Sequence, residues 1–219
     1  PEKASESMTR ALRLGSKDPN VQYVASAFYA NRGRAKKAYE HGLAVLDAGR
    51  DDYGLRLRLG RLSRVLENLE AARVHLRAAV QLYPDGAGAW KELMKLAEST
   101  DDRALRRRAT RRLFELDQTS SLAARRFTEL AVEQKRWDDA EQGVERWFAI
   151  QPFEPKVHRR RARVSLEVGQ PDDAYESWDL LAHLRPSSGA EIWQGALDRL
   201  ADYDFPGLEK RVRANLSSP

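Results

Sequence analysis

The 219-residue sequence contains no cysteine. This absence excludes a disulfide framework, a thiolate metal site and a thiol nucleophile. It also leaves both the cytoplasm and the periplasm open as the compartment. No apolar run is long enough to span a bilayer, and no segment has the apolar core of a signal peptide. Because the sequence begins at Pro1 rather than at methionine, we expect it to be a segment of a longer chain.

The motifs of common enzyme classes are missing as well. There is no Gly-x-Ser-x-Gly elbow, no phosphate-binding loop and no glycine-rich dinucleotide fingerprint. No two of the four histidines have the i, i+4 spacing of a helical metal site, so we interpret them as packing or surface residues. Paired aspartates recur at Asp51-Asp52, Asp101-Asp102, Asp138-Asp139 and Asp172-Asp173. Their turn positions favour helix N-termini over acid-base chemistry, and we predict no catalytic residue, metal or cofactor.

Charged residues are abundant, at 32% of the chain against 42% hydrophobic residues. This balance favours an elongated fold with a large surface over one large spherical core. The formal net charge of +5 is modest for this length, so the distribution of the cations matters more than their number. Arginine outnumbers lysine, which is typical of proteins from GC-rich bacterial genomes.

A small residue recurs at a fixed interval along the chain. Ala4, Ala38, Ala72, Ala140 and Ala174 stand at multiples of 34 residues from one another. In this register, apolar residues share one face of each predicted helix, and a proline or a polar loop follows. The large aromatic residues Trp147, Phe148 and Trp178 fall on that face and are expected to pack rather than to stack on a ligand. Repeats of this length predict stacked helical pairs without strands.

The register resembles that of the tetratricopeptide repeat family, whose 34-residue unit has a small-aromatic-small pattern and a closing proline. Leu59 and Gly60 resemble the Leu-Gly pair of the family's first helix. Trp90 resembles its first-helix aromatic residue, and Gly33 and Gly169 its turn glycine. The departures lie at the small-residue site and at the closing proline: Arg106, Leu208, Arg50 and Gln118. The resemblance covers essentially the whole chain and implies an all-α, right-handed superhelical solenoid of stacked helix-turn-helix repeats.

The resemblance also implies a single solenoid domain over residues 1–219. Its repeats are 19–52, 53–86, 87–120, 121–154 and 155–188. The second helix of a truncated repeat precedes them at 1–18, and a degenerate or capping repeat follows at 189–219.

In this family the stacked first helices form a concave groove, lined by the second, fifth, sixth and ninth residues of each unit. In four successive units these positions are mostly basic: Arg58, Arg61, Lys91, Lys95, Arg125, Arg126, Lys156, Arg159, Arg160 and Arg163. Tyr23 and Trp193 occupy the fifth position of the first and last units, as candidate aromatic anchors. A concave surface of one sign attracts the opposite charge. The alternative is a solvated helix face balanced by local glutamates.

Some members of the family grip the terminal carboxylate of a peptide with lysine, arginine and asparagine residues. Lys91, Lys156 and Arg160 match positions of that clamp, but Lys95 and Arg126 replace its two asparagines. Cations in place of neutral donors favour a ligand with several negative charges. We therefore predict a non-catalytic protein-interaction scaffold whose groove takes an acidic protein or peptide segment. The alternative is a polyanion-binding module, for nucleic acid or for the acidic polysaccharide of a bacterial export system.

A second basic cluster falls on the predicted second helix of the unit 87–120. Its members are Arg103, Arg106, Arg107, Arg108, Arg111 and Arg112. We expect this cluster mainly on the convex side, where such runs are usually solvated. Contact with nucleic acid or lipid headgroups stays open.

Overall fold

The computed structural model describes residues 2–217, so the ends of the predicted first and last segments, residue 1 and residues 218–219, lie outside the described residues. The described residues form thirteen α-helices, one short 3₁₀ turn at Pro186–Ser188 and no strand. The helices are α1 (Glu2–Leu14), α2 (Pro19–Asn31), α3 (Ala35–Asp47), α4 (Tyr53–Val65), α5 (Leu69–Leu82), α6 (Ala87–Ser99), α7 (Arg103–Leu116), α8 (Ser121–Glu133), α9 (Trp137–Ile150), α10 (Pro155–Glu167), α11 (Pro171–Leu184), α12 (Gly189–Leu200) and α13 (Pro206–Leu216). The all-α prediction is confirmed.

Small polar side chains fix where several helices begin, because the first amide groups of a helix lack partners within it. Asp52 and Asp102 each accept a hydrogen bond from the backbone N–H three residues further on, at 2.8 and 3.0 Å. Two other predicted aspartate pairs lie in the first turns of α9 and α11. Carboxylates there interact favourably with the helix dipole. These aspartates therefore act at helix N-termini, as the sequence predicted.

The turns that join α2 to α3, α4 to α5, α6 to α7, α8 to α9 and α10 to α11 repeat the same backbone geometry. Residues with positive φ, between 47° and 77°, stand at intervals of 34 residues: Gly33, Glu67, Asp101, Lys135 and Gly169. A residue with a β-carbon is strained in this left-handed region, whereas glycine enters it freely. Two repeats place glycine at this position, and three tolerate a bulkier residue there. The 34-residue period is thus a property of the backbone as well as of the sequence.

The chain divides into two compact units, with the boundary between Leu116 and Asp117. Unit 1 contains α1 and the helical pairs α2/α3, α4/α5 and α6/α7, each of which packs against the next. Unit 2 contains the pairs α8/α9, α10/α11 and α12/α13, packed in the same manner. Each unit is therefore a stack of helical hairpins. A single domain over residues 1–219 and the repeat boundaries within it stay predictions.

The core of each unit depends on close helix packing. In unit 1, Gly60 lets α4 approach α5 so closely that an added β-carbon would lie 2.5 Å from Cγ of Leu76. Leu59, beside it, is fully buried with Val45 and Leu55. In unit 2, Trp178 lies in a core cluster formed by α10, α11, α12 and α13. The residues of the Leu-Gly pair thus act as packing residues.

A buried arginine joins three helices of unit 2. The side chain of Arg161, on α10, is only 8% exposed. Its guanidinium donates to Glu145 on α9 at 2.7 Å and to Glu176 on α11 at 2.8 Å. It also reaches Asp173 at 3.3 Å. These contacts fix the rotation of α10 and leave its opposite side, which carries the candidate site, open to solvent.

Candidate functional site

Cations from three helices of unit 2 surround one cavity of about 320 Å³. The cationic lining side chains are Arg125 on α8, Lys156, Arg159, Arg160 and Arg163 on α10, and Arg199 on α12. The other two lining residues are Glu129 and Trp147. Five of these six cations are residues that the sequence predicted for the groove. We refer to this site as the unit 2 cavity.

Helix α10 supplies most of the cavity because of its residue spacing. Lys156, Arg159, Arg160 and Arg163 recur at intervals of three and four residues, which places them on one side of an α-helix. Pro155 begins the helix at a position where a missing N–H carries no cost. The remaining sides of α10 are largely buried in the unit. The sequence therefore presents its cations as a ridge along the cavity.

Most of these cations have no acidic partner. Lys156, Arg159, Arg160, Arg163 and Arg199 form no ion pair within residues 2–217. Positive charge is therefore in excess around the cavity.

The one carboxylate of the lining is already engaged. Glu129 lies 3.8 Å from Nε of Arg125 and 3.0 Å from a terminal nitrogen of Arg126. Arg126 is thus held beside the cavity, although it does not line it.

The surroundings of Arg160 show the excess charge directly. Burial lowers the pKa of this guanidinium, and the nearby cations Arg163 and Arg199 lower it further. Glu129 and Glu133 act in the opposite direction without cancelling the effect. A second cavity, of about 500 Å³, shares Arg160, Arg163 and Glu129 with the first. Arg160 is therefore a half-buried cation at which an added negative charge would be stabilised.

The predicted groove cations of unit 1 have a different environment. Nε of Arg61 and Nζ of Lys95 lie 3.2 and 3.3 Å from Oε1 of Glu92. Arg64 lies 3.4 Å from the other carboxylate oxygen. Glu92 itself is only 4% exposed. Three cations of unit 1 therefore converge on a buried carboxylate of the chain itself.

Tyr23 and Arg58 form a separate contact in unit 1. Arg58 donates to the backbone carbonyl of Tyr23 at 3.2 Å, and its guanidinium carbon lies 4.5 Å from the ring centroid. Arg50 lies against the same ring at 3.9 Å. Two cations thus already contact the Tyr23 ring. Lys91, another predicted groove cation of unit 1, is exposed and does not contact Tyr23.

Trp193 does not lie on an open surface. The residue is 6% exposed and belongs to the core cluster of unit 2. Its ring centroid is 5.4 Å from that of Tyr175 on α11. The apolar stripe of α12, which includes Ile192 and Leu200, is buried in the same cluster, and Trp193 lies beside that stripe. The expectation that Trp193 is an accessible aromatic anchor is corrected by this burial.

Sequence reasoning missed two residues of these sites. Arg199 is the eleventh residue of its unit and therefore lies outside the four positions that line the groove in the family. The sequence feature that could have indicated Arg199 is its position in the last turn of α12, an amphipathic helix. Glu92 occupies an inward position, but its three cationic neighbours come from two different helices. Such a convergence depends on tertiary distances that spacing does not encode.

Other chemistry is not apparent in the described part of the chain. Residues 2–217 contain no group of three or more histidine or acidic side chains placed to hold a metal ion. Within the same range, none of the helices combines the length and the apolar character needed to cross a membrane.

Several solved structures have a similar arrangement of helices and identify the fold. MamA superimposes with a TM-score of 0.62 at 16% identity, over 85% of this chain and 96% of MamA. YrrB, described as a TPR protein with an unusual peptide-binding site, superimposes with a TM-score of 0.66 at 13% identity, over 82% of this chain and 92% of YrrB. The C-terminal part of a TPR repeat-containing protein from Cytophaga hutchinsonii superimposes with a TM-score of 0.68 at 12% identity, over 98% of this chain and 88% of that protein's chain. The fold is that of a tetratricopeptide repeat protein.

At these identities the likeness is one of fold alone. Comparison of the sequence with known protein families finds no match, and comparison with curated proteins finds none either. The predicted tetratricopeptide repeat fold is confirmed by the similar structures. The ligand has to be argued from the site itself.

Proposed function

We propose that this chain is a non-catalytic protein-interaction scaffold and that the unit 2 cavity binds an acidic segment of a partner protein. The observation that carries the proposal is the group of five cations without an ion pair around a cavity with one carboxylate. Keeping several like charges together opposes folding through mutual repulsion. A bound acidic segment removes this repulsion and gains charge-assisted hydrogen bonds.

The chemistry of the lining favours a carboxylate-rich ligand. Arg125, Arg159, Arg160, Arg163 and Arg199 each offer a planar fork that matches a carboxylate with two parallel hydrogen bonds. The lining contains no serine, threonine, cysteine or histidine, and its one carboxylate, that of Glu129, is paired with Arg125 and Arg126. The fold also favours binding, since YrrB, which shares it, is described as having a peptide-binding site. Together these features support docking rather than catalysis.

The proposal places the predicted residues in two groups. Arg125, Lys156, Arg159, Arg160 and Arg163 of the predicted set, with Arg199 added, form the contact surface in unit 2, and Arg126 lies beside it, paired with Glu129. In unit 1, Arg61 and Lys95 are held by Glu92, and Arg58 is held by Tyr23. Of the predicted groove cations of unit 1, Lys91 is exposed and has no such contact in the described residues. The main binding site is therefore assigned to unit 2.

The test is a titration of a fluorescent Glu/Asp-rich peptide against the full chain. The double variant Arg159→Glu, Arg160→Glu is expected to lose at least about tenfold in affinity, or about 1.4 kcal/mol. The matched control, Arg103→Glu with Arg107→Glu, makes the same charge change on α7 and is expected to stay within about twofold of wild type. Circular dichroism checks that both variants stay helical. Equal losses in both variants would contradict the assignment, because the effect would then be one of net charge.

The predicted alternative is a polyanion ligand. The salt dependence of the binding affinity distinguishes a polyanion from an acidic peptide. Binding of a polymer such as heparin releases condensed counterions, so its affinity falls steeply and linearly on a log-log plot against salt. Binding of an acidic peptide is expected to give a shallower slope. Tight heparin binding that is lost in the Arg159→Glu, Arg160→Glu variant, without peptide binding, would replace the proposed ligand by a polyanion.

A further inference from the structure

Helix α7 carries the net positive charge of this chain. Its fourteen residues include six arginines and one acidic residue, Glu115, so the helix has a formal charge of +5. The whole chain has the same formal charge of +5. Outside α7, acidic and basic residues therefore balance. The proposed site in unit 2 does not account for this concentration of positive charge on one helix of unit 1.

Four of the six arginines of α7 are exposed to solvent. Arg103, Arg107 and Arg111 are exposed and follow one another at i, i+4 and i+8 on one face. Arg108, also exposed, lies next to this row. With a rise of about 1.5 Å per residue, successive members of the row are about 6 Å apart. This spacing is close to that of neighbouring phosphates in an extended nucleic acid strand.

Three carboxylates in or near α7, those of Asp102, Asp85 and Glu115, already have partners. Asp102 caps α7 through Leu105 and pairs with Arg73 at 2.8 Å. Asp85 and Glu115 both pair with Arg112, at 3.1 and 2.6 Å. Arg103, Arg107 and Arg108 form no ion pair in the described part of the chain. Three exposed guanidinium groups therefore remain for an external anion.

The local energetics also favour an external anion. Arginines four residues apart on a helix repel each other, and a cation at Arg103, the first helical residue, opposes the helix dipole. A bound row of phosphates removes both penalties. Binding of a polyanion is therefore expected to stabilise the folded chain.

From this arrangement we propose that the exposed arginine row of α7 binds the phosphate backbone of nucleic acid without reading its sequence. Arginine matches phosphate with paired N–H donors, and backbone contacts of this kind supply non-specific affinity. The exposed side chains of α7 are arginines, Ala104 and Glu115. A membrane surface is disfavoured because this face has no bulky apolar residue to insert. An acidic protein is disfavoured as the ligand because the exposed face of α7 offers no large aromatic or aliphatic side chain as an anchor for it.

The test measures fluorescence anisotropy of short labelled DNA, duplex and single-stranded, in two unrelated sequences, with the full chain at several salt concentrations. Wild type is expected to bind both sequences equally, with log affinity falling linearly with log salt. The variant Arg103→Gln, Arg107→Gln, Arg108→Gln is expected to bind at least tenfold more weakly. Its salt slope on duplex DNA is expected to be shallower by about 2 to 3, because each phosphate that the variant leaves without a cation reduces the slope by about 0.9.

Two matched variants decide whether the position of the charge matters. Arg13→Gln, Lys17→Gln, Lys36→Gln removes the same charge from exposed positions of unit 1 outside α7. Arg159→Gln with Arg160→Gln alters the unit 2 cavity. Both are expected to keep DNA affinity within about threefold of wild type and to leave the salt slope within about one unit, because neither removes the proposed phosphate contacts.

Four outcomes would overturn the proposal: no DNA binding by wild type, equal losses in the α7 and Arg13/Lys17/Lys36 variants, loss only in the Arg159/Arg160 variant, or a clear preference for one DNA sequence. The first three respectively exclude a nucleic acid ligand, assign binding to net charge, and move the DNA to the unit 2 cavity. The fourth excludes a purely backbone contact. The peptide titration measures the unit 2 cavity separately, so failure of this proposal can be distinguished from failure of the proposed function.

Discussion

Nε of Arg161 donates a hydrogen bond to Oε1 of Glu145 at 2.7 Å, from a side chain that is only 8% exposed. Two residues earlier on the same helix, Arg159 is exposed at the unit 2 cavity. The same residue type therefore has a structural role at one position and a proposed binding role at the other. The two positions provide a matched pair for mutation.

Replacing Arg161 with alanine is expected to lower the free energy of unfolding by about 2–4 kcal/mol, because buried hydrogen bonds to charged groups contribute about 1.5–3 kcal/mol and the packing of the side chain is removed as well. Its acidic partners are about half exposed and regain water, which limits the loss. Urea denaturation measures the change. Arg159→Ala is expected to stay within about 0.5 kcal/mol of wild type. Similar stability of the two variants would mean that the Arg161 network contributes little.

Two glycines test the close packing of the helices. An alanine β-carbon at Gly60 would lie 2.5 Å from Cγ of Leu76, so Gly60→Ala is expected to destabilise by about 1–3 kcal/mol. Gly195, inside α12, has open space around it, so Gly195→Ala is expected to stabilise by about 0.5–1 kcal/mol through helix propensity. Thermal melting of both variants checks the opposite signs. A stabilising Gly60→Ala would show that α4 and α5 are farther apart than described.

Trp178 tests the aromatic core of unit 2. The residue is 5% exposed, and Trp178→Ala is expected to cost about 3–5 kcal/mol. Phe153, in the turn before α10, is 79% exposed, so Phe153→Ala is expected to change stability by less than about 0.5 kcal/mol. The midpoint of chemical denaturation reports both. A wild-type midpoint for Trp178→Ala would place this tryptophan outside the core.

The environment of His75 predicts a pH dependence of stability. Arg56 only donates, so Nδ1 of His75 accepts its hydrogen bond at 3.1 Å and carries no proton, while Nε2 lies 3.2 Å from the hydroxyl of Tyr39. Burial lowers the pKa of His75, and Arg56 lowers it further, while Asp51 opposes them. Protonation in the folded state would break the Arg56 contact and place two cations together.

Because the folded-state pKa of His75 lies below its unfolded value of 6.5, the unfolded chain binds the proton more readily. Stability is therefore expected to be complete above about pH 7 and to fall as the pH drops below about 6.5. Urea midpoints across this range measure the effect, and His75→Gln is expected to reduce it. Part of it should remain, because burial also lowers the pKa of His41 and His158. A flat profile for wild type would contradict the buried, neutral state of these histidines.

The fold follows from local features that the sequence displays. The 34-residue register, the capping aspartates and the Leu59-Gly60 pair each act within one helical hairpin or between neighbouring hairpins. A repeat reuses the same contacts, so one register predicts many helices. Positions such as Arg159, Arg160 and Arg163 could be predicted for the same reason, since they share one face of one helix.

The remaining features of the site depend on where a repeat lies in its unit. Trp193 shares its repeat position with Arg159, yet it is buried, because it lies beside the apolar stripe of α12 and packs with Tyr175. Arg199 reaches the cavity from outside the predicted positions. The pairing of Arg61 with Glu92 joins residues 31 positions apart. These contacts arise from tertiary distances, which a periodic pattern does not determine.

The buried carboxylate of Glu92 has a consequence for how many ligands one chain binds. It already pairs with Arg61, Arg64 and Lys95 within the chain. Because it is tethered beside them, its effective concentration is high, and a free acidic segment has to compete with it for these cations. In unit 2, Glu129 pairs with Arg125 and Arg126, and Lys156, Arg159, Arg160 and Arg163 of α10 form no ion pair within residues 2–217. One chain is then expected to take up one acidic segment, and Glu92→Gln is expected to open a second, weaker site. We therefore expect the stoichiometry of acidic-segment binding to depend on the internal carboxylate that each unit carries.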